Sequence, residues 1–167
     1  MSYLRTWDWP KLLDEYQRVC KPGGVIRITE GDILGSSSPA QMQISALALE
    51  AFYLAGHFVN QTRSSPMDQL PVFMQQQGVL NVQTRAHVLQ YRAGTPEWQN
   101  FYDDMKYVGR TVLPFLRRRI QVPDNYEEIY QQSLDEMQRP DFVATWNLLT
   151  AWGAPSHYSA SSHFVRE

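Results

Sequence analysis

Cysteine is almost missing from this chain: Cys20 is the only one in 167 residues. A single thiol excludes an intrachain disulfide framework and makes a reducing compartment the default. Charge of one sign is also lacking. Fifteen Lys and Arg face 17 Asp and Glu, for a formal net charge of −2. That balance excludes a strongly basic nucleic-acid binder and leaves room only for a local basic patch. Long apolar runs are absent. The longest, Ile44 to Val59, is broken by Glu50 and His57 and is too short to span a bilayer. Met1-Ser2-Tyr3-Leu4-Arg5 carries no signal-peptide core. The expectation is a cytoplasmic protein with no membrane span and no nucleic-acid partner. The nine glycines form neither G-x-G-x-x-G nor G-x-x-x-x-G-K-[ST], so no phosphate- or dinucleotide-cradling loop is encoded. H-E-x-x-H, C-x-x-C and G-x-S-x-G are absent too, and no metal site or nucleophile elbow is indicated.

What is present is enough to fold. Apolar residues make up 43% of the chain and charged residues 19%, which places it among globular domains. Pro10 to Cys20 reads as a helix, with Trp9, Leu12, Leu13, Tyr16, Val19 and Cys20 on one face. Lys21-Pro22-Gly23-Gly24 stops it. Val25-Ile26-Arg27-Ile28-Thr29 is β-branched and apolar on both sides, which suggests an internal strand of a parallel sheet. Ser38-Pro39-Ala40-Gln41 combines a capping box with proline in the first turn and opens a helix to about Val59. A shorter helix near 67–77, delayed or kinked by Pro71, ends at Gly78. Leu80, Val82, Thr84, Ala86 and Val88 alternate as a strand. Thr95-Pro96 opens a long helix that Pro114 should bend or end. Asp124 and Glu127 cap a further helix that Arg139-Pro140 closes, and Phe142 to Trp152 reads as a closing strand. The polar tail after Gly153 is expected to be loose. The class is α/β with few strands.

Candidate chemistry is sparse. His157 and His163 sit in the tail. His57, on the apolar helix, reads as a satisfied or pocket-lining histidine. Cys20 reads as core. Arg117-Arg118-Arg119 follows a helix end, where cations complement the dipole. Glu30 and Asp32 stand at the carboxyl end of the first strand, where ligands bind in open α/β sheets. They either contact a substrate or form a polar strand exit. The helix from Ala40 carries more apolar surface than one face needs. It either lines a pocket for a hydrophobic substrate or packs against further protein.

The segment Leu13 to Glu30, with Glu15-Tyr16-Gln17-Arg18-Val19-Cys20-Lys21-Pro22-Gly23-Gly24 at its centre, resembles the E-x-x-R-V-L-K-P-G-G helix, turn and strand of class I S-adenosylmethionine-dependent methyltransferases. Cys20 stands where that family has leucine. In the family this is the fourth helix and fifth strand. The helix ending at Gly78 and the strand from Val79 are similar to the L-x-x-x-G-F approach to the sixth strand, and Phe142 to Gly153 is similar to the seventh. Residues 96–138 would be a helical substrate-region insertion, as in ubiquinone- and menaquinone-biosynthesis-like relatives. The resemblance spans nearly the whole chain but only the family's second half.

The resemblance implies an incomplete Rossmann-like methyltransferase sheet. From the family's order 3-2-1-4-5-7-6 it would retain strands 5, 7 and 6, with strand 7 antiparallel in the middle. Residues 1–153 would be that half-domain and 154–167 a tail. S-adenosylmethionine would be the cofactor, but its glycine-rich loop is not in this sequence, so no cofactor-binding residue carries over. Glu30 and Asp32, with Tyr53 and His57 on the helix from Ala40, would flank a small, hydrophobic methyl acceptor. The strand 25–29, deprived of its neighbour, invites pairing with an N-terminal half or with a second copy. The implied function is methyl transfer by a chain inactive on its own. The competing reading is a non-catalytic binding or regulatory partner of a complete methyltransferase.

Overall fold

The computed structural model describes residues 4–57 and 66–156. Five α-helices and four strands follow a short 3-10 turn at Thr6–Asp8: α1 (Trp9–Val19), β1 (Ile26–Gly31), β2 (Gly35–Ser36), α2 (Pro39–Leu54), α3 (Pro66–Gln76), β3 (Leu80–Arg92), α4 (Pro96–Arg117), α5 (Tyr126–Met137) and β4 (Val143–Ala154). The class is α/β, and every strand pairing is antiparallel.

β4 is the spine of the sheet. β1 pairs with its second half, Ile26 opposite Gly153 through Gly31 opposite Leu148. β2 continues along the same side of β4, with Gly35 opposite Thr145. β3 takes the other side along almost the full length. β4 therefore lies between β1 and β3 and runs antiparallel to both. The internal, parallel position expected for 25–29 is corrected: among the described residues β1 pairs only with β4, and Val25, Arg27 and Thr29 are exposed. Apolar residues on both sides mark this strand, but only Ile26 and Ile28 turn them toward a core. Asn81, with φ +53°, sits at a register shift between Leu80 and Gln83, a bulge that twists the start of β3.

α1 and α3 cover one face of the sheet. Trp9, Leu13, Leu70 and Met74 bury themselves against Ile26, Val79 and Ala151, and Cys20 packs partly buried at this core's margin. Gly23, at φ +75°, allows the turn in which Gly24 N–H donates to Lys21 C=O at 2.9 Å; this turn delivers α1 into β1. α3 begins ahead of Pro71 rather than after it. Burial of Leu70 and Met74 offsets the hydrogen bond that proline removes. Pro114 likewise neither ends α4 nor stops it before Arg117, because Phe115 and fully buried Leu116 anchor the last turn.

α2, α4 and α5 form a second layer around Ala40, Ile44, Ala51, Leu116, Ile129 and Tyr130. Two tyrosines clamp α5 to α4: Tyr126 Oη donates to Gly109 C=O and Tyr130 Oη to Lys106 C=O, both at 2.7 Å. Glu136, near the end of α5, reaches the start of α2. Its carboxylate accepts from Ser38 Oγ at 2.6 Å and Ala40 N–H at 3.0 Å, while Ser38 Oγ accepts from Gln41 N–H at 3.0 Å. A carboxylate at a helix N-terminus meets its free N–H groups and its dipole. The expected Asp124–Glu127 cap of α5 does not form. Asn125 holds the cap position without a side-chain bond. α2 ends at Leu54, five residues short of the expected Val59, because Gly56 turns at φ +85°.

Candidate functional site

The two layers leave a cavity of about 840 Å³ between α2, α4 and the exit of β1. That lies within the range of small-molecule sites. The stripe Gln41, Ile44, Ser45, Ala48 and Phe52 of α2 forms one wall, and Phe101, Met105, Val108, Val112 and Phe115 of α4 form the other. Spacings of three and four residues give each helix one inward face. Ile33, Leu34, Tyr91 and Trp146 close the sheet side. Phe52 meets Phe115 with ring centroids 4.9 Å apart, and Phe101 stacks on Tyr91 at 4.6 Å.

Of the residues singled out from sequence, Asp32 and His57 lie on this wall and Glu30 and Tyr53 do not. Asp32 follows β1 directly. Its Oδ1 accepts from Ile33 N–H at 2.7 Å, and its backbone carbonyl accepts from the Trp146 indole N–H at 2.8 Å. Glu30 is two residues earlier, opposite Leu149. Strand alternation puts it on the side of Ile26 and Ile28, away from Trp146 and the cavity. Tyr53 follows Phe52 on α2 and is rotated off its inward stripe.

His57 is buried, edge-on to Phe52 at 5.2 Å. Its Nδ1 lies 2.9 Å from the Leu4 carbonyl. A carbonyl only accepts, so Nδ1 carries a proton. The ring is therefore both held by the fold and placed on the cavity wall.

Sequence reasoning missed Trp146, Asp104, Gln41 and Tyr91. Trp146 lies in a strand whose alternation is blurred by apolar residues on both faces, and Asp104 looks like any exposed helical acid. The inward stripe of α4 was visible, but an apolar stripe does not tell a cavity wall from a packed core. Among the described residues, no cluster of His, Cys, Asp and Glu could hold a metal ion. No described helix is long and apolar enough to cross a membrane. Arg117 lines a separate cavity of about 340 Å³ with Asp124 and Glu127, while Arg118 and Arg119 are exposed. His87 is half-buried on β3, and His157 and His163 lie outside the described residues. The described glycines with positive φ, Gly23, Gly56, Gly78 and Gly94, each follow a helix or strand and close a turn there. None belongs to a glycine-rich loop at the cavity.

No protein-family model matches this chain, and no curated protein matches it.

Proposed function

We propose that this chain is the acceptor-binding half of a class I S-adenosylmethionine-dependent methyltransferase. The observation that carries the reading is the apolar cavity walled by α2 and α4 and opening where β1 leaves the sheet. Three features support it. The Lys21 to Gly24 turn feeds a helix into β1, as the family motif implies. β4 runs reversed between β1 and β3. The helix α4, within the expected insertion 96–138, walls the site.

The chemistry asked of these residues is positional. Methyl transfer depends on holding a nucleophile in line with a sulfonium methyl group, and confinement of the two reactants supplies much of the acceleration. The aromatic walls would exclude water and orient an apolar acceptor. Asp32 and His57 supply the hydrogen-bonding points beside it. Among the described residues no glycine-rich loop lies at the cavity, and on this reading the methyl donor is bound by residues outside them. Among the described residues β1 pairs only with β4, and its other edge is where such a segment would join the sheet.

That same open edge, together with the missing glycine loop, favours the second reading, a non-catalytic partner of a complete methyltransferase. Sequencing the transcript upstream of the Met1 codon, with purification of the tagged protein from its own cells, separates the two. The first reading expects a glycine-rich loop in frame upstream, or in a co-purifying chain that lacks strands 5 to 7. Co-purification of a complete methyltransferase supports the second. An upstream stop codon with no co-purifying chain contradicts both.

A further inference from the structure

The cavity sorts charge in a way its apolar walls do not require. Three of its lining residues, Asp32, Glu97 and Asp104, are acids, and among the described residues no lysine or arginine lines it. The cations of α4 are engaged elsewhere. Lys106 pairs with Asp103 at 2.5 Å and lies over the Tyr102 ring. Arg110 lies over Tyr130, and Arg117 lines the smaller cavity. Asp103 and Asp104 are neighbours in sequence, yet the first pairs with Lys106 and the second lines the cavity. No ion pair is formed by Asp32, Glu97 or Asp104 among the described residues.

Asp32 is half-buried and Glu97 and Asp104 are exposed, and carboxylates without an ion-pair partner beside an apolar lining attract positive charge and repel negative charge. Trp146 adds an aromatic ring to the lining, a surface that organic cations favour. A carboxylate ligand would meet like charge with no cation to relieve it.

From these features we infer that the cavity takes a hydrophobic amine bound as its ammonium ion, and discriminates against carboxylic acids of the same shape. This rests on the reading of the cavity as the acceptor site and names the acceptor's class. The ammonium is the anchoring group and is not assigned as the atom methylated.

The test is calorimetric titration of the full chain with three matched probes: naphthylethylamine, naphthylethanol and naphthylacetate. The amine should bind about tenfold more tightly than the alcohol, and the carboxylate more weakly than both. Asp32→Asn combined with Asp104→Asn should bring the amine-to-alcohol ratio to about one. Asp104→Asn alone, at an exposed helical position, should give an intermediate ratio if the double variant fails to fold. Equal affinity for amine and carboxylate, no binding by any probe, or an unchanged preference in the folded variants would overturn the inference. No methyl donor is involved, so failure here is distinct from failure of the methyltransferase reading.

Discussion

At the residue scale, three residues hold the helical layer together, and each makes a measurable prediction. Gly109 is buried, and a Cβ there would come within 2.5 Å of the Tyr130 ring. Gly109→Ala gains about 1 kcal/mol of helix propensity but forces apart two clamped helices, at about 1–3 kcal/mol. A net loss of stability in urea unfolding is expected. Glu136 is governed by opposed effects. Burial raises its pKa, but hydrogen bonds from Ser38, the Ala40 N–H and Gln132, with the nearby charge of Arg139, hold it below the ordinary 4.5. The unfolded chain therefore binds this proton first as pH falls. The contribution is full above pH 4.5 and lost as pH drops through the folded value. Burial raises the Tyr126 pKa to about 12, with Tyr130 and Glu127 adding to the effect. Its contribution is full below pH 10 and is lost as pH rises through about 12. Glu136→Gln should flatten the acid limb of a stability–pH profile, and Tyr126→Phe should flatten the alkaline limb. Neither role was legible in the sequence, because each partner lies on another element: Glu136 is separated from Ser38 by 98 positions.

At the element scale, helices were the most legible part. Ser38 is the cap its sequence announced, and Thr95 accepts from Trp98 N–H at 3.2 Å as the Thr95-Pro96 signal implied. Ser38→Ala should cost about 0.5–2 kcal/mol from lost capping, read as a lower urea midpoint, with the surplus over an ordinary cap reporting the loss of the Glu136 contact. Pro71 does not delay α3 and Pro114 does not end α4, since tertiary burial outweighs the local cost. β2 escaped notice because two residues carry no periodicity, and its pairing with β4 is decided by the turn after Asp32. β1 makes the other prediction at this scale. Val25 is 61% exposed at the strand's start, and a free, partly apolar edge pairs readily with another strand. Sedimentation at high micromolar concentration should show association of the isolated chain. Val25→Lys should weaken it, and a well-behaved wild-type monomer would refute it.

At the scale of the whole molecule, the α/β class was legible from the alternation of helical and strand patterns, while the antiparallel pairing of every strand was not. The site was legible only in outline. Asp32 announced itself by its place at a strand end and His57 by its place on an overly apolar helix. The closing walls depend on how α4 docks over the sheet, which no local pattern records. The same docking decides that Asp104 lines the cavity while Asp103 pairs with Lys106. The central claim is that this chain supplies the acceptor side of a methyltransferase whose cofactor is held elsewhere. Its most direct test is calorimetric titration of S-adenosylmethionine into two samples. One is the isolated 167-residue chain, and the other is the native material recovered from its own cells with a tag at the C-terminus. The account predicts no heat of binding for the isolated chain and micromolar binding for the native material. Micromolar binding by the isolated chain, or none by the native material, would contradict it.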